Sequence, residues 1–252
     1  MEYFFQTERL AVGYNNTIIV DGIEIKLEKG QILTIIGPNG SGKSTILKSI
    51  TKQLKLIGGV AAINGKSIDE INMRDMARQT AVMLTGRPTP ELMTCWDVAA
   101  AGRYPYTGGL GILSAFDKQM ITEALRLTGA YDIKDRNFSQ ISDGQLQKVM
   151  LARAICQQPK LIVLDEPTSF LDIRCAVEIL DVLRKMANES GLTVVMSLHE
   201  LNFAKRVSDF VLCVKAGSVL YAGKPEVIFT EDIISRLFGL PPGVYTQLFG
   251  GL

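Results

Sequence analysis

The sequence of 252 residues has no long basic stretch and no apolar run of the length that crosses a bilayer, about 20 residues. Its formal net charge of +1 gives no sign of a surface for nucleic acid. The first residues, beginning at Met1, lack the basic region and apolar core of a signal peptide. We therefore expect a soluble, cytosolic chain whose association with a membrane comes through a partner.

Cysteine is scarce, and the four cysteines are widely separated: Cys95, Cys156, Cys175 and Cys213. They form no C-x-x-C pair, which argues against a zinc site or a disulfide framework and is typical of a reducing compartment. We expect the four thiols to be small buried hydrophobic groups. With 47% hydrophobic residues, the chain can bury a sizeable core as one large domain or two small ones.

What is present is a glycine-rich stretch at residues 37–45 that fits the P-loop pattern G-x-x-x-x-G-K-[ST]. An apolar run at residues 31–36 predicts a buried strand before it, and the spacing of residues 45–50 predicts a helix after it. The alternative is a glycine-rich surface turn before an ordinary helix, and the strand–turn–helix setting disfavours that alternative. The sequence therefore predicts a site for a nucleoside triphosphate.

Each part of this loop suits a phosphate group. Glycines let successive backbone N–H groups face inward as an anion-binding nest, and the helix dipole adds partial positive charge there. Lys43 can reach the β- and γ-phosphates, and the Ser44 hydroxyl can bind Mg²⁺. The candidate loop residues are Gly37, Pro38, Asn39, Gly40, Ser41, Gly42, Lys43, Ser44 and Thr45.

Two acids follow a second apolar run, at residues 161–164. A buried strand that delivers Asp165 at its carboxyl end would place this carboxylate beside the P-loop magnesium. Glu166 can then point at the γ-phosphate and position the attacking water. A strand that ends in solvated acids is the alternative, and the upstream P-loop makes it the weaker interpretation.

Two further features are weaker signals when each is taken alone. Ser142 can cap a helix that follows it, and the backbone amides at its start can bind an anion, although any helix start has these properties. His199, the single histidine, ends an apolar run at residues 193–198. Its imidazole could hydrogen-bond the γ-phosphate, while a structural histidine is an equally open alternative.

The remaining patterns predict an α/β fold. Residues 3–12 and 17–27 alternate as antiparallel strands around a turn at 13–16, and residues 58–63 form another strand. Residues 80–84 predict a central strand, and the last strands are expected at 210–214 and 219–221. Helical patterns dominate from Thr85 to Lys160, which indicates a helical subdomain inserted in the core. Further helices are predicted at residues 172–189 and 231–238.

The order of these motifs, P-loop, S-x-G-Q, L-D-E-P, S-F-L-D and S-L-H-E, resembles the ATP-binding subunits of ABC transporters over nearly the whole chain. The resemblance implies a P-loop NTPase core (RecA-like) at about 1–84 and 158–252. It also implies an antiparallel β subdomain and a helical signature subdomain at about 85–157. The implied cofactors are ATP and Mg²⁺. The implied partners are a second copy, permease subunits and, indirectly, a substrate-binding protein, at the cytoplasmic face of the membrane.

The same resemblance assigns roles to residues. Tyr14 would stack on adenine, and residues 39–45 would hold the phosphates. Ser44 and Asp165 would bind Mg²⁺. Glu166 would be the catalytic base and His199 the switch histidine. The residues implied at the interface with the second copy are Ser142, Gly144 and Gln145, which would contact its γ-phosphate, and Asp172.

Within the family, the stretch Gly102-Arg103-Tyr104-Pro105-Tyr106 resembles importers of iron–siderophore complexes, haem and cobalamin. A proline-containing loop between helices is the alternative. The implied function is ATP hydrolysis that powers such import. Other ABC importers or exporters and non-transport ABC ATPases remain alternatives. So do a soluble P-loop kinase and a nucleotide-dependent scaffold.

Two positions depart from the family pattern. Asp143 stands where the signature usually has glycine, and it adds a carboxylate near a phosphate site. The glutamine that usually follows the strand ending near Leu84 is missing, and Thr85 occupies its place. We expect Thr85 to serve as the hinge to the helical subdomain and to reach the magnesium through a water molecule.

Overall fold

The computed structural model describes residues 3–84, Gly86 and residues 90–250. Its strands are β1 Phe5–Tyr14, β2 Thr17–Leu27, β3 Ile32–Ile36, β4 Gly58–Ile63, β5 Lys66–Ser67, β6 Thr80–Met83, β7 Leu161–Asp165, β8 Thr193–Ser197, β9 Phe210–Lys215 and β10 Ser218–Gly223. Its helices are α1 Lys43–Ile50, α2 Met73–Gln79, α3 Cys95–Ala100, α4 Ala115–Leu127, α5 Asp143–Cys156, α6 Ile173–Ser190, α7 Leu201–Val207, α8 Pro225–Ile228, α9 Glu231–Phe238 and α10 Val244–Phe249.

The strands form a mixed sheet in the order β5-β4-β1-β2-β10-β9-β3-β8-β7-β6. Strands β3, β6, β7, β8 and β9 pair in parallel, whereas β1, β2, β4 and β5 pair antiparallel. The two parts meet where β10 pairs with β2 through Ser218 and Asp21. Every residue of β3, β7 and β8 is buried, as expected for parallel strands covered on both faces. The predicted antiparallel strands and P-loop strand are confirmed.

The prediction of a central strand at residues 80–84 is wrong, because β6 lies at the edge of the sheet. Its residues are nevertheless mostly buried. The side-chain amide of Gln157 donates to Thr80 O at 2.8 Å, and the Lys160 amide donates to Gln79 O at 2.9 Å, so neighbouring chain covers the start of this strand. An apolar run indicates that a strand is buried, and a buried strand can lie at the edge of a sheet or at its centre.

Helices α3, α4 and α5 lie between β6 and β7 along the chain. Each begins with a capping box, in which the side chains of two residues each accept a hydrogen bond from the backbone N–H of the other residue. The three pairs are Thr94 with Asp97, Ser114 with Asp117, and Ser142 with Gln145. One apolar cluster joins these helices to the sheet, since it contains Val98, Leu125 and Val149 together with Ile162 and Val194.

A second apolar cluster surrounds the helix that follows the P-loop. Ile46 and Leu47 of α1 are fully buried, and they belong to a cluster with Phe5 of β1, Val163 of β7 and Val195 of β8. This packing fixes α1 between the antiparallel and parallel strands, and it thereby fixes the loop that precedes α1. Within the described ranges, no helix combines the length and apolar character needed to cross a membrane.

Candidate active site

The glycine-rich loop occupies the turn between β3 and α1, as the sequence predicts. Gly37 has a φ angle of 155°, and a Cβ atom there would lie 2.0 Å from Val214 O. Gly42 caps α1 with a φ angle of 106°, and a Cβ atom there would lie 2.3 Å from a Val20 methyl group. Both positions therefore require glycine for backbone conformation and for space. The loop encloses a cavity of about 380 Å³ lined by Ile19, Asn39, Gly40, Ser41, Gly42, Lys43, Ser44, Thr45, Glu166 and His199.

The polar groups of this loop fit a bound polyphosphate. Nζ of Lys43 donates to the carbonyl oxygens of Gly37 at 2.8 Å and Pro38 at 3.1 Å. Burial lowers the pKa of Lys43, while the negative charges of Glu166 and Asp165 act in the opposite direction. The buried Ser41 Oγ has no hydrogen-bond partner within the part of the chain that the structure describes. A buried hydroxyl and a buried cation in a glycine loop are the groups that a phosphate would satisfy.

Ser197 joins the two predicted acids. Its buried hydroxyl donates to Asp165 Oδ1 at 2.6 Å, and it accepts a hydrogen bond from the Glu166 amide at 2.9 Å. The parallel pairing of β7 with β8 sets Ser197 directly opposite Asp165. Ser197 is the first residue of the S-L-H-E motif, in which only His199 was assigned a role. A polar residue that ends one buried strand, beside another strand that ends in acids, is the signal that identifies it.

The carboxylate of Glu166 lies between two side chains. Its Oε1 contacts Nε2 of His199, and its Oε2 accepts a hydrogen bond from Ser169 Oγ at 3.0 Å. The backbone of Glu166 is in the left-handed region, with a φ angle of 51°, which non-glycine residues rarely adopt outside turns and functional sites. The side chain of His199 is 35% exposed, unlike that of a core histidine. The ends of β7 and β8 thus bring an acid and an imidazole to the mouth of the P-loop cavity.

The signature residues lie at the start of α5, and Asp172 lies at the start of α6. Ser142 Oγ accepts from the Gln145 amide at 3.4 Å, which confirms the predicted cap. Asp172 Oδ1 accepts from the Cys175 amide at 2.7 Å. The two helix starts are in contact, because a Cβ atom at Gly144 would lie 3.0 Å from Cys175 Sγ. None of these residues lines the P-loop cavity described above.

A second cavity, of about 390 Å³, separates the signature helix from the acids. Asp143 lines it together with Asp165, Glu166 and the highly exposed Phe170. Tyr14, predicted to stack on adenine, ends β1 with 42% of its surface exposed and does not line the P-loop cavity. Thr85, predicted to act near the magnesium, lies outside the described residues.

Comparison with known proteins places the chain in a family. Residues 20–169 match the family model described as ABC transporter. An uncharacterised ABC transporter ATP-binding protein of Methanocaldococcus jannaschii is 43% identical over 97% of this chain and 84% of its own length. The iron(3+)-hydroxamate import ATP-binding protein FhuC of Bacillus subtilis is 36% identical over 96% of this chain and 90% of its own length. Among solved structures, cbiO1 of Clostridium perfringens, part of the ABC transporter complex cbiONQ, has a TM-score of 0.80 and 26% identity, with 94% of each chain covered.

The chain therefore belongs to the ABC transporter family. It is a nucleotide-binding, ATP-hydrolysing cassette of that family, with the α/β P-loop fold that the motif order implied.

Proposed function

We propose that this cassette hydrolyses ATP to power import of an iron chelate, haem or cobalamin through a separate permease. The observation that carries the proposal is the 36% identity, over nearly the full chain, to a protein named for iron(3+)-hydroxamate import. The Gly102–Tyr106 motif, which resembles the same class of importers, supports it.

The P-loop holds the triphosphate in this proposal. Backbone N–H groups of the loop, the Ser41 hydroxyl and Lys43 bind the phosphate oxygens, and Tyr14 stacks on the adenine. Ser44 and Asp165 are the residues that would hold Mg²⁺, with Thr85 reaching it through water. Bound there, the ion would neutralise charge that develops on the phosphates.

Glu166 performs the proton transfer. Its carboxylate orients a water molecule and accepts a proton as the water oxygen bonds to the γ-phosphorus. The bond from that phosphorus to the bridging oxygen breaks, which leaves ADP and inorganic phosphate. His199 contacts Glu166 through Nε2, so it holds the carboxylate in place, and when this contact is released the same nitrogen can donate a hydrogen bond to the γ-phosphate.

The site is completed by a second copy of the chain. Ser142, Gly144 and Gln145 lie at a helix start outside their own P-loop cavity, where backbone N–H groups and the helix dipole favour an anion. We propose that they contact the γ-phosphate bound to the second copy, with Asp172 at the interface. Two ATP molecules would then be held between two chains.

Residues 85–157 act as the helical signature subdomain of the cassette, between core segments 1–84 and 158–252. The cassette works at the cytoplasmic face of the membrane with permease subunits and, through them, with a substrate-binding protein. Nucleic acid is not among its proposed partners, in keeping with the near-zero net charge.

A pull-down from detergent-solubilised membranes tests the transport assignment. Recovery of a multi-span permease is the expected result, while recovery of ribosomes or DNA would overturn the assignment. The recovered complex, reconstituted in vesicles, then tests the cargo class. A ferric hydroxamate, haem or cobalamin should stimulate its ATPase activity, and stimulation only by a cargo outside these three would show a different importer or an exporter.

A further inference from the structure

The Gly102–Tyr106 motif is folded against the carboxyl end of the signature helix α5. Gly102 is in backbone contact with this helix, because a Cβ atom there would lie 2.1 Å from Arg153 O and 2.6 Å from Cys156 Sγ. No larger residue fits without moving the helix. The glycine is thus explained by a close approach of two backbone segments.

Arg103, the next residue, binds the end of α5 from a buried position. Its side chain is 2% exposed, and the guanidinium donates to Asp117 Oδ1 at 2.8 Å, to Cys156 O at 2.7 Å and to Gln158 Oε1 at 3.1 Å. The last carbonyls of a helix have no partner within the helix, so a donor at Cys156 O satisfies one of them. The Arg103 guanidinium also lies 4.1 Å from the ring centroid of Tyr106.

Tyr106 extends this connection to α2. Its hydroxyl lies 2.9 Å from Gln157 O and 3.1 Å from Arg78 O, at the end of α2. Arg78 in return donates to Pro105 O at 3.2 Å. The Gln157 side chain donates to Thr80 O at the start of β6, as noted above. The Tyr106 hydroxyl and the Gln157 side chain therefore connect the carboxyl end of α5 to α2 and to β6.

The length of α5 turns a small change in its direction into a large displacement of its amino end. The helix has 14 residues and is about 20 Å long at a rise of about 1.5 Å per residue. A tilt of about 6° about its carboxyl end would therefore displace its amino end by about 2 Å. That amino end carries Ser142 and Gly144, and a displacement of this size exceeds the tolerance of a hydrogen bond.

We propose that Tyr106 is a positioning residue: its hydroxyl, which lies between carbonyl oxygens of α2 and of the end of α5 and shares its one hydrogen between them, fixes the direction of the signature helix toward ATP held by a second copy. This inference rests on the proposed two-ATP dimer. It predicts that loss of the hydroxyl weakens assembly of the composite site while the P-loop of each chain still binds nucleotide normally.

The test uses Tyr106→Phe in a Glu166→Gln background, in which ATP is bound and not turned over. The matched control is Tyr104→Phe in the same background, because Tyr104 lies two residues away in the same motif and is 63% exposed. Three quantities are measured: the dimer dissociation constant in Mg-ATP by sedimentation, the affinity of the monomer for a fluorescent ATP analogue, and the melting temperature. Gln157→Met independently removes the hydrogen bond from the Gln157 side chain to Thr80 O.

Tyr106→Phe and Gln157→Met should each weaken dimerisation about tenfold, with unchanged nucleotide affinity, and Tyr104→Phe should change neither. Unchanged dimerisation in Tyr106→Phe would overturn the proposal, whatever the result for Gln157→Met. A parallel loss of nucleotide affinity and melting temperature would show a merely structural role and would equally overturn it. If the Glu166→Gln parent itself stays monomeric in Mg-ATP, the two-ATP dimer is wrong and this inference falls with it, a failure visible before Tyr106 is changed.

Discussion

Nε2 of His199 contacts Oε1 of Glu166, so the loop after β8 holds the acid that follows β7. The two residues are 33 positions apart in sequence and meet because β7 and β8 pair in parallel register. The contact lies at the mouth of the P-loop cavity, which both side chains line. Removal of the imidazole should therefore disturb the position of the Glu166 carboxylate and leave the stability of the fold unchanged.

His199→Ala should lower the ATPase rate by about 100-fold, the scale of general acid–base and orienting groups, without lowering the melting temperature. A buried hydrogen-bonded group would cost about 1–3 kcal/mol of unfolding free energy when removed, but this side chain is 35% exposed. Steady-state hydrolysis and thermal melting measure the two effects. A lower melting temperature with hydrolysis intact would instead identify a structural histidine.

Ser197→Ala should lower both stability and magnesium affinity. The change removes the hydroxyl that donates to Asp165 Oδ1 and accepts from the Glu166 amide, and loss of such a buried hydrogen-bonding group costs about 1–3 kcal/mol of unfolding free energy. Because Asp165 loses one of the groups that orient it, half-maximal ATPase activity should require more Mg²⁺. Denaturant unfolding and a magnesium titration of the ATPase provide the measurements.

Ser49→Ala is the matched control for this change. Ser49 is also fully buried, and its Oγ lacks a hydrogen-bond partner among the residues described. Its removal should leave stability unchanged or slightly increased. Equal losses of stability in the two variants would show that the Ser197 contacts add nothing.

Asp143→Gly should be tolerated or should modestly raise ATPase activity, because it removes a carboxylate near the proposed phosphate site. The variant should also lose about 1 kcal/mol of unfolding free energy, since an acid in the first turn of α5 complements the helix dipole and glycine disfavours a helix. Asp143→Asn separates the effect of charge from that of the backbone. A large loss of hydrolysis in a stable variant would reveal a different role for Asp143.

Thr85→Val should lower the ATPase activity that transport stimulates more than it lowers basal activity. Valine has a similar shape but lacks the hydroxyl that we expect to reach the magnesium through water. The reconstituted transporter, with and without cargo, allows both rates to be measured on one preparation. Equal rates for the variant and the wild type would move the coupling role to another residue of this loop.

The sequence was most informative where local chemistry restricts the backbone. Gly37 and Gly42 occupy conformations and spaces that exclude side chains, so the P-loop motif specifies its strand, turn and helix together. The start of α5 was likewise predictable from Ser142, because a capping residue and its helix are neighbours in sequence.

Features that depend on distant parts of the chain were harder to predict. The run at residues 80–84 predicts a strand, but its position at the sheet edge depends on pairing with β7, about 80 residues later. The sequence around Arg103 indicated a motif in a loop, whereas its guanidinium donates a hydrogen bond to Cys156 O, 53 positions away along the chain. Ser197 gained its significance only when parallel register placed it opposite Asp165. Local patterns do not encode such long-range contacts.

We propose that the P-loop site of one chain is completed by the signature of a second chain, with Glu166 as the catalytic base. Light scattering of Glu166→Gln with Mg-ATP tests it most directly. We expect a dimer by light scattering, two retained ATP molecules by nucleotide analysis, and loss of most turnover by phosphate release. A variant that stays monomeric with Mg-ATP and hydrolyses ATP near the wild-type rate would contradict it.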